Sequence, residues 1–384
     1  MARIIERIKL KPIINSHVKC RYFTRCSGCQ LQHRRYRSQL NLKHRILKKV
    51  FGESIVDRIV PSPVEYGWAN RGVFRLYKYP GDGPRVSGFP DVDGRIMDIR
   101  ECPLLYEPLN RLYLELSALL KLNARFFDGK SGDLTYLILK GSIRTDEYIA
   151  GIVSLRRVYL KRFLRDFFNT RNIRGISLIV EKEPESFKVK EILPILGDKF
   201  YYEKVLDRLF RISIVSHFPR NTYVFESVLR DIRDAVEGAE HVVDAFGSVG
   251  VISTILSPVV SRITLIEPSR SAVLDAQENF YKHDVFNGEI IRNRVADVLK
   301  SMRGQEPDVV ILSPPERGLK FSEINALIKV RPRRIIYLSR NLNTFYRDTR
   351  FLTKKGNYRL IRVSPYDMYP QQLKFFLVGY LEKV

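Results

Sequence analysis

Apolar residues recur at helical spacing in two stretches of the first third of the chain. Residues 38–51 set Leu40, Ile46, Leu47 and Val50 on one stripe, which predicts an amphipathic helix with a basic outer face. Residues 107–122 do the same with Leu109, Leu112, Leu116, Leu119 and Leu120, and Pro108 sits in the first turn where a missing N–H costs nothing. Between them, Pro61 and Pro63 mark a linker or loop over 59–65, residues 70–78 alternate toward strand, and 80–94, rich in Pro, Gly and Asp, reads as a hairpin loop. Strand patterns over 134–139, 148–155 and 175–181, a helix over 160–169 and two further short strands predict a small α/β domain.

From about Asn221 the texture changes. Short, largely apolar runs at 242–246, 262–266, 309–312 and 334–338 alternate with helical patterns at 223–237, 271–283, 322–330 and 343–352. Strands apolar on both faces imply a parallel sheet covered by helices, so this part is expected to be doubly wound. The expected division is 1–105, 106–218 and 219–384.

Composition adds a partner to this α/β outline. The 384 residues are 45% hydrophobic and 28% charged, enough for a real core and against disorder. Lys and Arg number 66 against 42 Asp and Glu, a net charge of +24, which favours a polyanion and first of all RNA, since cations gain affinity by releasing counterions from phosphates. Residues 1–50 hold 14 Lys and Arg and one acid, Glu6, with Tyr22, Phe23, His33 and Tyr36 interleaved as candidate stacking rings. No run of about 18 apolar residues and no signal-peptide pattern is present, so the expectation is a cytoplasmic protein with no membrane partner.

The cysteines are few and clustered. Cys20, Cys26 and Cys29 form Cys-x5-Cys-x2-Cys, and Cys102 is the fourth. Too sparse for a disulfide scaffold, they read as one site for a soft metal, with Gly28 expected to let the backbone turn so that adjacent sulfurs converge. Their spacing leaves an iron–sulfur cluster and zinc both open.

The doubly wound region carries a second candidate site. Its first strand runs into Val243-Asp-Ala-Phe-Gly-Ser-Val-Gly250, and Glu267 ends the second strand 17 residues after Gly250. Beyond the carboxyl ends of such strands a glycine turn exposes backbone N–H groups and an acid can take a ribose diol, a pattern suited to S-adenosylmethionine or a dinucleotide. Asp297, after the third strand, is a candidate adenine contact. The fourth strand ends in Ser313-Pro-Pro-Glu-Arg-Gly318, a stiff loop at the sheet's mouth.

Taken together, Cys20-x5-Cys-Ser-Gly-Cys-Gln-Leu-Gln-His33, Asp98-Ile-Arg-Glu-Cys-Pro-Leu104, Val243-Asp-Ala-Phe, Pro314-Pro-Glu-Arg-Gly-Leu319, Tyr337-Leu-Ser and Asp367-Met-Tyr-Pro-Gln371 resemble the RNA uracil-5-methyltransferase family, collinearly over nearly the whole chain. The resemblance implies an N-terminal iron–sulfur module with a [4Fe-4S] cluster on Cys20, Cys26, Cys29 and Cys102, and a C-terminal Rossmann-like methyltransferase domain. It also implies S-adenosylmethionine held around Asp244, Phe246, Gly250, Glu267, Asp297 and Ser313, and tRNA or rRNA as partner. The family's N-terminal oligonucleotide-binding barrel is not expected here, since Cys20 stands so near the start of the sequence.

In that family a cysteine thiolate adds to C6 of uracil, C5 then takes the methyl group, and a glutamate removes the C5 proton. Here Tyr337-Leu-Ser-Arg-Asn-Leu342 puts Arg340 at the cysteine position of Tyr-x-Ser-Cys-Asn-Pro, and alignment of Pro370-Gln-Gln-Leu-Lys-Phe-Phe376 puts Phe376 at the glutamate. Ser248 replaces the first glycine of the turn, Ser313 the aspartate of Asp-Pro-Pro, and Pro219 the glutamine of Phe-Gln-x-Asn, which acts against retention of the cofactor. The expectation is an RNA-binding protein inactive for 5-methyluridine formation. The alternatives are a methyltransferase acting through other residues, Ser339 among them, and a non-catalytic partner of an active paralogue.

Overall fold

A computed structural model describes residues 18–78, 85–122, 134–183 and 188–384. The basic positions before residue 18 and the first part of the 80–94 loop lie outside the described residues. The chain forms two compact units, one containing residues 34–63 and 215–384, the other residues 18–33 and 64–214. This differs from the three expected segments. One seven-stranded sheet takes strands from both sides of residue 105, and the basic N-terminal stretch is shared between the units.

Helix α1 (Tyr36–Phe51) belongs to the C-terminal unit. Its apolar stripe is only half of what it buries: Ile46 and Leu47 are inside, but so are Gln39 and Lys43, while Leu40 and Val50 stay half-buried. In the central unit, β1 (Arg71–Lys78), β2 (Arg85–Pro90), β3 (Ile96–Asp98), β4 (Leu134–Ser142), β5 (Glu147–Ser154), β6 (Gly175–Glu181) and β7 (Val189–Gly197) form a sheet ordered β3-β2-β1-β4-β5-β6-β7. Its only parallel pair is β5 with β6, joined through helix α3 (Lys161–Thr170). Helix α2 (Glu107–Leu122) buries Leu109, Leu112, Leu116 and Leu120 as its periodicity requires. A hairpin of β8 (Phe200–Val205) and β9 (Arg208–Ser213) follows. The expected loop at 80–94 therefore contains a strand, β2, because Arg85 to Gly88 pair with β1 and Gly88 to Pro90 pair with β3.

After α4 (Thr222–Val236), the C-terminal unit alternates β10 (His241–Ala245), α5 (Val251–Leu256), β11 (Arg262–Ile266), α6 (Arg270–Lys282), β12 (Gly288–Ile291), α7 (Val295–Ser301), β13 (Val309–Leu312), α8 (Phe321–Val330), β14 (Arg334–Ser339) and α9 (Leu342–Lys355). The chain closes with β15 (Tyr358–Tyr366) and β16 (Phe376–Lys383). Strand order is β12-β11-β10-β13-β14-β16-β15. The five parallel strands match the doubly wound expectation; β15 and β16 join antiparallel at one edge. No helix of the described residues is long and apolar enough to cross a membrane.

Candidate functional site

All four thiols belong to the central unit. The turn after Cys20 is closed by Phe23 N–H to the Cys20 carbonyl (3.1 Å) and Cys26 N–H to the Tyr22 carbonyl (2.8 Å). Asn110 on α2 holds Cys102 at both ends of its peptide, accepting its N–H (2.8 Å) and donating to its carbonyl (3.0 Å). Burial pushes the Cys29 thiol far up, and the charges of Cys102, Cys26 and Cys20 add smaller contributions in the same direction. No three His, Cys, Asp or Glu side chains among the described residues are grouped to hold a single metal ion. Gly28 is not what bends this loop: the left-handed residue is Thr24, at φ 74°, and a Cβ on Gly28 would meet Cys26 Sγ at an ordinary 3.4 Å. The expected stacking rings are already engaged. His33 is buried with its ring 5.9 Å from Phe23, Tyr22 accepts Arg100 N–H (3.0 Å), and Tyr36 accepts Ser62 N–H (2.7 Å).

A pocket opens at the carboxyl ends of the parallel strands. After β10 the backbone turns through three left-handed residues, Phe246 (φ 63°), Ser248 (φ 50°) and Gly250 (φ 79°). A side chain in that region costs of order 1–3 kcal/mol, so a glycine-type turn is kept by residues that suit it poorly. Ser248 Oγ donates to the His217 carbonyl (2.8 Å). Glu267 does not line the pocket; its carboxylate folds onto the loop and accepts Ser248 N–H (3.0 Å) and Ser269 N–H (2.7 Å).

Asp244 is wholly buried beneath the turn. Its Oδ2 accepts Ser253 Oγ–H (2.7 Å) and its Oδ1 has no hydrogen-bond partner among the described residues. Burial pushes its carboxyl up to about 6, against the partial relief of Ser253. A carboxyl raised on folding favours the native state most at low pH, and that contribution is lost as pH climbs from about 4 to about 6. Asp244→Asn is therefore expected to remove a fall in stability of up to about 3 kcal/mol over that window. Urea midpoints measured across pH 4 to 7 check this; parallel curves for the two proteins would refute it.

Two expected positions meet across an antiparallel pair. Ser339 ends β14 paired with Leu377 on β16, and the residues next to that pair, Arg340 and Phe376, both line the pocket. Arg340 Nη1 lies 2.6 Å from His217 Nε2, which accepts as neutral imidazole. Phe246, Ser248, Pro219, Ser313 and Pro314 complete the wall together with Met368 and Tyr369. Asp244, Gly250 and Glu267 support the turn from outside the wall. Asp297 is not brought to the pocket: it lies in the first turn of α7, paired with Arg294 (2.7 Å) and Lys300 (3.9 Å).

Two buried networks hold the wall, and the sequence reading missed both. Asp348 on α9 accepts Leu319 N–H (2.8 Å), Tyr337 O–H (2.7 Å) and Arg347 Nε–H (2.7 Å), tying the Pro314-Pro315 loop to β14. Gly318 (φ 74°) follows that loop, and a Cβ there would come 2.5 Å from Asp348 Oδ2. On the other side, Lys43 Nζ donates to Asp367 Oδ1 (2.5 Å) and to the Tyr369 carbonyl (3.0 Å). Gln39 exchanges two hydrogen bonds with Gln371, donating to its Oε1 (2.8 Å) and accepting its N–H (3.0 Å). Helix α1 thereby fixes the segment bearing Met368 and Tyr369. Lys43 at i and Gln39 at i−4 on the inner stripe were the available signal, hidden because buried polar residues break an apolar pattern.

A 26% identical structure with TM-score 0.74, covering 93% of this chain and 86% of its own, is the Pyrococcus abyssi tRNA (uracil-54, C5)-methyltransferase in complex with S-adenosyl-L-homocysteine. The likeness is to RNA methyltransferases. Uncharacterized RNA methyltransferases of Caldanaerobacter subterraneus subsp. tengcongensis (27% identical, 99% of this chain, 88% of the relative) and Synechocystis (26%, 92% and 79%) agree. No family model matches. The C-terminal unit thus carries the α/β Rossmann-like fold of an RNA methyltransferase, with the pocket at the strand ends where that fold binds its ligands.

Proposed function

We propose that this protein binds RNA on the RNA uracil-5-methyltransferase plan and does not form 5-methyluridine. The observation carrying this reading is the pocket's want of a thiol. The chain's four cysteines all belong to the central unit, and β14 runs out into Arg340 with Phe376 beside it. A guanidinium stays protonated and has no free pair to add to C6, and a phenyl ring accepts no proton. Ser339 does not replace the thiol: it is buried, donating to the Asn341 carbonyl (3.1 Å) and accepting Asn341 N–H (3.2 Å).

The turn fits an adenosyl cofactor, since Phe246, Ser248 and Gly250 keep a left-handed path that brings backbone to the pocket. S-adenosylmethionine, when bound, would supply an electrophilic methyl group. Phe246 and Ser313 would flank it, and Glu267 would keep the loop in shape through the Ser248 and Ser269 amides. Incubation of the protein with radiolabelled S-adenosylmethionine and unmodified tRNA and rRNA transcripts is expected to leave uridine unlabelled, while calorimetry with S-adenosylhomocysteine gives binding tighter than millimolar. Label at uridine C5 would overturn the inactive reading. Label appearing only after a paralogue is added would make the chain a partner subunit.

We further infer that Cys20, Cys26, Cys29 and Cys102 hold a [4Fe-4S] cluster in a structural role, as suits a reducing cytoplasm. Support comes from the contributions of the other three thiols at Cys29 and the anchoring of Cys102 by Asn110. A cluster spreads four thiolates over a cube of iron and sulfide, wider than the sphere of one ion. Anaerobically purified protein is expected to be brown, with iron and acid-labile sulfide both near four per chain. A colourless protein with one tightly held zinc would sink the assignment.

A further inference from the structure

At the other end of the same parallel strands from the strand-end pocket lies a second hollow. Its lining comes from the segment after α7, the last turns of α8 and α9 with the residues that follow them, the start of β15 and the end of β16. Arg303, Lys329, Arg331, Lys355 and Lys383 converge on it against one side-chain carboxylate, Glu306, and the α-carboxylate of Val384. Lys383 alone of the five has an ion partner among the described residues, Glu306 at 3.9 Å. All five cations are exposed.

Helix ends explain part of this charge. The carboxyl ends of α7, α8 and α9 point here, and each offsets about half a positive charge. After these, Glu306 and the Val384 α-carboxylate, an excess of between about one and two positive charges remains. The hollow offers no ring to a base: Tyr358, its only aromatic lining residue, is buried and donates its hydroxyl to the Pro332 carbonyl (2.8 Å). Cations without an aromatic platform suit phosphates rather than bases. Strands of four to six residues at about 3.3 Å each put the hollow roughly 20 Å from the pocket, within reach of one folded RNA.

We propose that this hollow is a second RNA contact, holding phosphates of the backbone without regard to sequence while the RNA engages the unit elsewhere. It takes RNA as the partner from the functional reading above and needs neither the cofactor nor the cluster.

The test uses the full chain and an unmodified tRNA transcript, with binding measured by fluorescence anisotropy across salt concentrations. Lys329→Gln/Arg331→Gln/Lys355→Gln changes only exposed side chains and should lower the unfolding midpoint only modestly, through the three cation–helix-end interactions lost, leaving the protein folded under the assay conditions. Affinity is expected to fall about tenfold near physiological salt, and the slope of log affinity against log salt to shrink by about two. Arg230→Gln/Arg233→Gln on α4, neutralising exposed cations outside the hollow, should do less per charge removed. Inorganic tripolyphosphate should compete with the transcript on the wild-type chain and lose that effect on the triple variant. Equal per-charge losses for the two variants would overturn the site. Tripolyphosphate binding to the hollow with unchanged RNA affinity would make it a small-anion site and overturn the RNA contact. Failure of the wild-type chain to bind the transcript would overturn RNA as partner altogether, whereas an inactive or cofactor-free protein that passes the test leaves the hollow standing.

Discussion

Lys43→Met is expected to destabilise the C-terminal unit by about 3–5 kcal/mol, the usual consequence of stranding one charge of a buried pair. Lys43 and Asp367 are 1% and 0% exposed, and their 2.5 Å contact is the only charge neutralisation either has among the described residues. Burial drives the Lys43 ammonium below its usual range despite Asp367, so the pair is held by geometry against a desolvation cost. Without Nζ, Asp367 keeps a buried carboxylate whose Oδ2 already lacks a hydrogen-bond partner, and the Tyr369 carbonyl loses its donor. Lys43→Met/Asp367→Leu should recover most of the loss, since an apolar pair of similar volume replaces a buried ion pair nearly neutrally. Urea unfolding of both variants in a double-mutant cycle measures the coupling. A single-variant cost under about 1 kcal/mol would show the pair to be solvated in solution.

Arg340→Cys is expected to return the first covalent step. On RNA carrying 5-fluorouridine, a thiolate at 340 would add to C6, and C5 would take the methyl group of added S-adenosylmethionine, which would leave as S-adenosylhomocysteine. The fluorine cannot leave as a cation, so the adduct persists without a base, and Phe376 need not be changed. The readout is a denaturant-stable protein–RNA band, absent from wild type and from Arg340→Ser. A positioned reactive group contributes at least about 100-fold, so the difference should be plain on a gel. An Arg340→Cys protein that binds S-adenosylhomocysteine and RNA normally yet forms no band would mean that Ser248, Ser313 or Pro219 has cost the pocket its substrate geometry. The inactivity would then not reside in the missing thiol alone.

Elements with a single period were legible in the chain itself. Helix α2 falls where Leu109 to Leu120 place it, and β6, β11 and β13 coincide with their apolar runs, because local spacing decides which face can be buried. Strand β2 was not legible: Gly88 and Pro90 look like turn residues, and only pairing with β1 and β3 makes the segment extended. Nor was the edge of the C-terminal sheet, since the periodicity of β15 and β16 does not say in which direction a strand will pair.

The candidate site divides the same way. Composition and motif spacing determined by themselves that the chain is strongly basic, that its only thiols stand at 20, 26, 29 and 102, and that a glycine-bearing turn after Asp244 marks a candidate ligand site, because these are properties of residue type and spacing. Only the tertiary structure decided that Arg340 and Phe376 are neighbours, that His217 reaches the Arg340 guanidinium, that Glu267 is committed to two loop amides, and that Asp297 stays on its own helix. Each of those facts depends on the register of strands distant in sequence or on a side chain choosing between solvent and a buried partner. Such choices are settled by the packing of the whole unit and leave no trace in local periodicity.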